Sequence, residues 1–316
     1  MKKILALVLT LCLLLPAAAL ADAPINVYPL KGPTGIGMVQ VMTNNDGTYN
    51  FTIAGAPDEV VAAVVSGNAD IAAVPTNLAA TLYNKTKGNV QLVALNTLGV
   101  LHILDKTGEI KSLKDLEGKT IWATGQGSTP EYVLNYILEA NGLKDSVTVE
   151  YKAEHAELAT LAAAGEVDIC MLPEPNVTSV MTQNPDFKLA LDVTALYDEA
   201  AAAAGMEGAT MAMGCLIVRK DWAAENADKL AAFLAAYEQS VSFVNTDIAE
   251  ASKQVEAQGI IPKAAVAAKA IPNCHIVYID GEEMKTKIAP FFEVLFTANP
   301  KSVGGTLPAE DFYYLP

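Results

Sequence analysis

The chain has 316 residues, a formal net charge of −15 and 18% charged residues. That length is sufficient for two lobes, each with its own hydrophobic core. The acidic balance favours solubility and disfavours binding to nucleic acid or anionic lipid. It does not identify a ligand, because a binding site is local.

The first 21 residues have the pattern of a cleavable secretory signal. Two lysines precede a short apolar run at 4–15, Pro16 interrupts it, and Ala19-Leu20-Ala21 presents small residues where a signal peptidase reads. The run is too short to span a bilayer, so a transmembrane anchor is the weaker alternative. We expect cleavage after Ala21 and an extracytoplasmic location, in the periplasm or at the cell surface.

Short apolar runs alternate with helical patterns, which predicts βα units and mostly parallel sheets. In chain order, we predict strands at 25–28, 71–74, 90–95, 121–123, 147–151, 169–172 and 188–192, extended crossing segments at 98–105 and 213–218, and helices beginning at Pro57 and Glu157 and spanning about 226–244. In the first helix, Val60, Val61, Val64 and Val65 form an apolar stripe that we expect to be buried. The remainder should be mainly helical and pack on the first lobe.

A helix–strand pattern occurs twice, 98 residues apart. Five of the 17 positions in 59–75 are identical to their counterparts, namely Glu59/Glu157, Gly67/Gly165, Asp70/Asp168, Ile71/Ile169 and Pro75/Pro173. The alternative explanation is that βα units in general share the same residue preferences at the ends of their helices and strands. We interpret the repeat as two α/β lobes of similar architecture, lobe 1 at 22–98 and 216–316 and lobe 2 inserted at 99–215.

In each lobe, a glycine-containing loop follows the first strand. Thr34 and Gly35 lie in the loop 31–37, and Ser128 and Thr129 lie in the loop 125–130. In open α/β sheets, ligands bind outside the carboxyl ends of the strands, and glycine lets the backbone approach them closely. Ser128 or Thr129 would also serve as a helix N-cap, a purely structural role. We expect all four residues to contact a ligand.

Polar residues also follow the strands of the repeat. Thr76 and Asn77 come after Pro75, and Glu174 comes after Pro173. A carboxylate at a partly desolvated strand end can accept hydrogen bonds from an amine, an amide or an aminopyrimidine. The alternative for Glu174 is a solvated loop acid. Thr97, with Asn96, is a weaker candidate just before the first crossing.

Signatures of catalysis and of metal binding are absent from the sequence. It contains neither a G-x-S-x-G elbow nor a complete phosphate loop. Its three histidines are isolated, and no Cys/His spacing makes a zinc site. We therefore predict no enzyme, no metal and no cofactor. After the signal, Cys170, Cys215 and Cys274 remain, and the sequence cannot say whether two of them are paired.

Four motifs together resemble a known family. They are Leu116-Glu117-Gly118-Lys119-Thr120-Ile121, Gly127-Ser128-Thr129, Gly165-Glu166-Val167-Asp168 with Glu174-Pro175, and the segment 214–222. In order and spacing they are similar to the substrate-binding proteins of ABC importers in the nitrate, sulfonate, taurine and thiamine-pyrimidine class (SsuA/THI5-like, NMT1-like). The family often has an aromatic residue just before its Glu-Pro, where this chain has Leu172-Pro173, so an aromatic stacking platform is not expected there.

The resemblance implies a type II periplasmic-binding-protein fold, two α/β lobes joined by two crossing strands. It also implies a small-molecule ligand, with a permease and an ATPase as partners. Carried over residue by residue, it places near the ligand Thr34, Gly35, Thr76, Asn77, Ser128, Thr129 and Glu174. We expect a monomer that does not bind nucleic acid. An enzyme on the same fold, such as a pyrimidine synthase or a small-carboxylate dehydratase, is the first alternative, and an extracellular sensor domain is the second.

Overall fold

The computed structural model describes residues 23–315, so the predicted signal peptide at 1–21 lies outside the described residues. Among the helices within 23–315, none is both long enough and apolar enough to cross a membrane. The three cysteines in this range are buried and free.

A six-stranded sheet forms the centre of lobe 1. Its strands are β1 (Ile25–Pro29), β2 (Tyr49–Phe51), β3 (Ile71–Pro75), β4 (Val90–Leu98), β10 (Ala212–Arg219) and β11 (Ile276–Ile279), in the spatial order β11-β4-β10-β3-β1-β2. β1 is parallel to both of its neighbours, whereas β10 is antiparallel to both β3 and β4. The predicted second crossing run is therefore a central strand of this sheet, inserted in reverse because it enters from lobe 2.

A five-stranded sheet forms the centre of lobe 2. Its strands are β5 (Leu101–Asp105), β6 (Thr120–Thr124), β7 (Thr148–Lys152), β8 (Ile169–Pro173) and β9 (Lys188–Asp192), in the spatial order β7-β6-β8-β5-β9. β6 is parallel to β7 and β8, and β5 is antiparallel to β8 and β9. Each sheet thus contains a reversed strand that arrives from the other lobe, and in lobe 1 the edge strand β11 is also antiparallel to its neighbour β4.

Helices cover both sheets. They are α1 (Pro33–Ile36), α2 (Val39–Thr43), α3 (Pro57–Val65), α4 (Thr76–Lys85), α5 (Thr129–Ala140), α6 (His155–Ala164), α7 (Asn176–Gln183), α8 (Val193–Ala203), α9 (Lys220–Glu225), α10 (Ala227–Thr246), α11 (Ile248–Ala257), α12 (Ala264–Ala270) and α13 (Gly281–Ala298), with short 3-10 turns at Leu113–Leu116, Ile271–Asn273, Pro300–Val303 and Glu310–Phe312. The C-terminal part is mainly helical, as predicted. It does not pack on lobe 1 alone, because α13 also contacts α5 of lobe 2.

The predicted repeat corresponds to two equivalent helix–strand units, α3–β3 and α6–β8. Gly67 and Gly165 follow the two helices with φ of +76° and +78°, the left-handed region that glycine adopts most easily. Pro75 and Pro173 end the two strands. Local chain chemistry therefore sets the same boundaries in both lobes.

Packing differs from the sequence prediction on one face of α3. Val60 and Val64 are buried, but Val65 is 56% exposed. The buried positions Val60, Ala63 and Val64 share one face of the helix, whereas Val65 lies about 100° around the helix from Val64. The buried stripe is therefore narrower than predicted. The strands β2 and β11 were not predicted. The Ile-Val-Tyr-Ile sequence of β11 is typical of a strand, but it is only four residues long and lies in a part of the chain expected to be mainly helical.

Candidate functional site

The edges of the two sheets at which the parallel strands end meet at the first crossing. β4 ends at Leu98 and β5 begins at Leu101, so only Gly99 and Val100 separate the two sheets along the chain. The carboxyl ends of β1, β3 and β4 lie at one edge of lobe 1, and the carboxyl ends of β6, β8 and β9 lie at the edge of lobe 2 where β5 begins. The loops that follow these strands therefore face a common region, as type II binding folds require.

On the lobe 1 side, polar residues surround Gly214 of β10. Asn96 Nδ2 donates to the Thr34 carbonyl over 3.2 Å. A Cβ atom at Gly214 would lie 2.4 Å from Thr34 Cγ2, 2.5 Å from Asn96 Oδ1 and 3.1 Å from Thr97 Cβ. The fold thus brings the predicted residues Thr34 and Thr97 together, and only glycine at position 214 leaves room for them.

Three polar atoms at this edge have no hydrogen-bond partner among the described residues. They are Thr76 Oγ1, Asn96 Oδ1 and Thr97 Oγ1, each in a residue only 1% exposed. Buried polar atoms are nearly always paired, so such groups require a ligand, a water or another explanation. The edge of lobe 1 therefore offers two hydroxyls and one amide oxygen that the protein itself does not satisfy.

Two of these three atoms lie in residues that have a polar side chain nearby, but neither forms a regular hydrogen bond with it. Thr76 lies close to the Cys215 thiol, a weak acceptor, but that thiol donates to the Val74 carbonyl over 3.6 Å. Burial raises the pKa of the Tyr237 phenol, and nearby Asn96 opposes the rise, yet the two side chains do not reach hydrogen-bond geometry. Thr97 Oγ1 is buried and has no hydrogen-bond partner within 23–315, which makes it a clear candidate for a ligand contact.

Gly35 and Asn77 both make close contacts within lobe 1 itself. A Cβ atom at Gly35 would lie 2.4 Å from the Leu30 carbonyl oxygen, so the tight turn after β1 requires glycine. Asn77 Nδ2 donates to the Ser302 carbonyl over 3.4 Å. Part of the hydrogen-bonding capacity of Asn77 is therefore used within lobe 1.

On the lobe 2 side, the glycine loop (Gly125–Ser128) lies between β6 and α5. Gly125 and Gly127 have φ of +80° and +73°, and a Cβ atom at Gly125 would lie 2.7 Å from Pro130 Cγ. Ser128 is at the N-cap position of α5, but its hydroxyl donates to the Gly125 carbonyl over 2.6 Å and does not cap the helix. Thr129 is the first residue of α5 and is 7% exposed.

Glu174 is buried and already has partners within the protein. Its carboxylate accepts from Thr178 N over 3.1 Å, from Thr178 Oγ1 over 2.9 Å and from Asn273 Nδ2 over 3.1 Å. The residue is 2% exposed, so it is not the solvated loop acid of the alternative interpretation. Burial raises its pKa, while the bonds from Thr178 and Asn273 oppose that rise. Its contact with a ligand stays a prediction.

Comparison with known proteins identifies the family. The family model described as NMT1/THI5 like matches residues 50–251, well over half of the chain. The chain belongs to the NMT1/THI5-like family. This match confirms the family that the sequence motifs indicated. A search of curated proteins found no match.

Solved structures share the fold of this NMT1/THI5-like chain. An ABC transporter protein from Parabacteroides distasonis is 24% identical, with a TM-score of 0.79, over 93% of this chain and 99% of that one. The periplasmic aliphatic sulphonate binding protein SsuA from Escherichia coli is 16% identical, with a TM-score of 0.70, over 94% and 93%. The ligand-binding component of an ABC-type import system from Staphylococcus aureus, with zinc bound, is 16% identical, with a TM-score of 0.62, over 93% and 97%. The type II periplasmic-binding-protein fold is thereby confirmed.

In this NMT1/THI5-like protein, a third segment joins the two lobes beside the first crossing. Asn273 and His275 belong to lobe 1, yet the Asn273 carbonyl lies 3.1 Å from His102 Nε2, and His275 Nε2 lies 3.6 Å from Asp192 Oδ2. His275 Nδ1 also lies 2.6 Å from the Gly99 carbonyl. Sequence reasoning treated both histidines as isolated, because their contacts join residues more than 80 positions apart.

A cavity of about 610 Å³ lies between α5 and α13. Its walls include Glu131 and Asn135 from lobe 2 and Glu293 and Thr297 from lobe 1. None of the eight predicted site residues lines it. Within 23–315, no cluster of three or more His, Cys, Asp or Glu side chains is arranged to hold a metal ion.

Proposed function

We propose that the chain is an extracytoplasmic solute-binding protein of an ABC importer, which holds a small molecule between its two lobes and delivers it to the permease. The observation that carries this proposal is the two-residue crossing from Leu98 to Leu101, which turns the strand ends of one sheet toward those of the other. Solved structures with the same fold include an ABC transporter protein, a periplasmic sulphonate binding protein and the ligand-binding component of an ABC-type import system. Membership of the family is consistent with this function.

The mechanism is closure about the crossings. An open and a closed state that differ by a few kcal/mol exchange without ligand, and a molecule that contacts both lobes stabilises the closed state. We propose that Thr34, Gly35, Thr76, Asn77 and Thr97 contact the ligand from lobe 1. We further propose that Ser128, Thr129 and Glu174 contact it from lobe 2. The closed form is what the transporter would recognise.

The chemistry of the lobe 1 edge favours a ligand without strong negative charge. The unpaired atoms of Thr76, Asn96 and Thr97 are hydroxyls and an amide oxygen, and the amide oxygen can only accept hydrogen bonds. Lys31, the cation that the sequence places nearest, is exposed. We propose a small polar molecule that carries amine or amide donors. A ligand without such donors would leave buried groups unpaired, which weakens binding.

The remaining elements of the proposal concern location, partners and chemistry. The signal pattern at 1–21 predicts export, and an importer implies a permease and an ATPase as partners. We propose a monomer that binds no nucleic acid and catalyses no reaction. An enzyme of the same fold is the alternative, since fold and family do not by themselves fix the chemistry of a site.

A thermal-shift screen of the mature protein tests the binding function. The panel contains nitrate, an alkanesulfonate, an aminopyrimidine and other amine-bearing metabolites. Each hit is then measured by small-angle scattering, and we expect a smaller radius of gyration with ligand than without it. Equal radii would contradict closure between lobes. Recovery of the ligand chemically changed, as judged by mass spectrometry, would favour the enzymatic alternative.

A further inference from the structure

The turn at 299–306, which follows α13, is a rigid extension of lobe 1. Asn84 Nδ2 donates to the carbonyls of Val303 and Thr306, both over 2.9 Å, and Thr306 Oγ1 donates back to Asn84 Oδ1 over 3.0 Å. A Cβ atom at Gly304 would lie 2.9 Å from the Cα atom of Thr81, so the turn packs directly on α4. This turn therefore moves with the helix that begins at Thr76.

Asn299 connects this turn to lobe 2. Its Oδ1 atom accepts from Lys301 N over 3.1 Å, which caps the short 3-10 helix of the turn. Its Nδ2 atom donates to the Tyr132 hydroxyl over 2.8 Å, across the boundary between the lobes. One amide group thus has two separate roles, and the two roles use different atoms.

Tyr132 also forms a hydrogen bond with the glycine loop. Its hydroxyl donates to the Gly127 carbonyl over 2.7 Å, and Gly127 N donates to Glu131 Oε2 over 2.6 Å. Tyr132 is 8% exposed, so little water competes for its hydroxyl. The conformation of the glycine loop therefore depends on a hydroxyl that lobe 1 holds in place.

Apolar packing also joins the two lobes near this contact, since Tyr132 and Tyr197 of lobe 2 belong to the same buried core as Phe291 and Leu295 of α13. The 610 Å³ cavity between α5 and α13 is adjacent, because Tyr132 itself lines it. Its charged lining residues include Glu131 and Lys144 from lobe 2 and Glu293 from α13. Within this contact, the hydrogen bond from Asn299 is the polar connection that leads to the glycine loop through Tyr132.

We infer that Asn299 and Tyr132 form an interlobe clasp, in which Asn299 is a positioning residue for the glycine loop. The hydrogen bond forms when the lobes are together and holds the loop in the conformation seen here. Its effect on the loop does not depend on any ligand. Its effect on ligand retention rests on the proposed function, since a clasp that opens more often releases a bound molecule faster.

Hydrogen–deuterium exchange of the ligand-free protein tests the clasp. Tyr132→Phe removes the hydroxyl and keeps the ring, and we expect the backbone amides of 125–132 to exchange about 2- to 10-fold faster, the range for loss of one or two hydrogen bonds. Tyr136→Phe is the matched control, because Tyr136 lies on the same helix and lines the same cavity, but its hydroxyl has no partner among the described residues. Unchanged exchange in Tyr132→Phe would overturn the inference.

The substitution Asn299→Asp distinguishes the interlobe hydrogen bond to Tyr132 from the hydrogen bond that caps the 3-10 helix. The introduced carboxylate can still accept from Lys301 N but cannot donate to Tyr132, and the single hydroxyl proton of Tyr132 cannot serve both that carboxylate and the Gly127 carbonyl. We expect faster exchange in the loop with the turn at 299–306 unaffected. The double variant with Tyr132→Phe should exchange no faster than Tyr132→Phe alone, because both changes act through one bond. Additive effects would contradict a shared bond.

Ligand release is measured separately, with whichever compound the thermal-shift screen identifies. Tyr132→Phe should raise the dissociation rate by about the same 2- to 10-fold factor, with an unchanged association rate. An unchanged dissociation rate would refute the role in retention. If no compound binds, the proposed function fails, whereas the exchange result still decides the clasp.

Discussion

At the scale of single residues, we propose that the Thr97 hydroxyl contributes to ligand binding and not to the stability of the fold. Its hydroxyl is buried without a partner among the described residues, at the edge where the two sheets meet, beside Gly214 and Asn96. An unpaired buried hydroxyl costs stability in the free protein. The same hydroxyl gains a partner when a ligand with a matching donor or acceptor enters.

Thr97→Val tests this interpretation, because valine keeps the shape and removes the hydroxyl. We expect the free energy of unfolding to stay the same or to rise, and the affinity for a ligand found by screening to fall by about 3- to 10-fold. Chemical denaturation and calorimetric titration measure the two quantities.

Tyr197→Phe is the control for Thr97→Val. Tyr197 is fully buried, its hydroxyl also lacks a partner within 23–315, and its ring packs edge-on against Phe291 at 5.4 Å. We expect a similar effect on stability and unchanged ligand affinity. Loss of stability in Thr97→Val without loss of affinity would mean that Thr97 is a structural residue only.

At the scale of secondary-structure elements, the similarity between the two lobes includes the antiparallel strand that each receives from the other, β10 in lobe 1 and β5 in lobe 2. Arg219 at the end of β10 donates its backbone N–H to the Asp70 carbonyl over 2.9 Å, and its guanidinium contacts the Gly67 carbonyl and the Asp70 carboxylate. Lys106, directly after β5, makes the same three contacts in lobe 2. Its Nζ atom donates to the Gly165 carbonyl over 3.1 Å and lies 3.4 Å from the Asp168 carboxylate, and its backbone N–H donates to the Asp168 carbonyl over 2.9 Å.

The two copies differ in burial. The Asp70 side chain is 9% exposed and also accepts from Asn26 N over 2.9 Å, whereas the Asp168 side chain is 66% exposed. Exposed ion pairs contribute little, while removal of a buried partner leaves polar groups unsatisfied. The sequence alone gives the two aspartates equal weight, and the tertiary structure makes them unequal.

Asp70→Ala and Asp168→Ala form a matched pair for this difference. We expect Asp70→Ala to lower the free energy of unfolding by about 1–3 kcal/mol, because Asn26 N and Arg219 lose a buried partner. Asp168→Ala should change it by no more than about 0.5 kcal/mol. Urea denaturation of both variants provides the measurement, and equal effects would refute the argument from burial.

At the scale of the whole molecule, His102 makes the stability of the lobe junction depend on pH. Burial lowers its pKa, while the Asn273 carbonyl and Asp192 oppose that change and His275 adds to it. In the unfolded chain, a histidine titrates near about pH 6.5. As the pH falls through that value, the unfolded state takes up a proton that the folded state does not, so stability decreases.

The expected outcome is a loss of stability between about pH 7.5 and about pH 5.5 that is smaller in His102→Gln than in the natural protein. Glu174 acts in the opposite sense at lower pH, since its raised pKa lets the folded state hold a proton that the unfolded state releases. Comparison of the two proteins at both pH values isolates His102, because Glu174 is common to both. Equal pH dependence would show that His102 does not contribute.

Much of the architecture follows from local chemistry and could be predicted. Gly67 and Gly165 end helices because glycine tolerates positive φ, Pro75 and Pro173 end strands, and the apolar runs between them are the right length for strands. The loops after these strands were also predictable, because a parallel sheet places its strand ends at one edge. The sequence by itself therefore determined the two repeated units and the family, whereas the region of the site that it indicates stays a prediction.

The tertiary structure decided which polar groups are already paired. Glu174 meets Asn273 across 99 positions, Tyr132 meets Asn299 across 167, and His102 meets Asn273 across 171. No local pattern encodes such contacts, since they depend on how the C-terminal segments cross from lobe 1 to lobe 2. The same folding leaves Thr97 buried and unpaired among the described residues, a property that arises only when distant strands close around it.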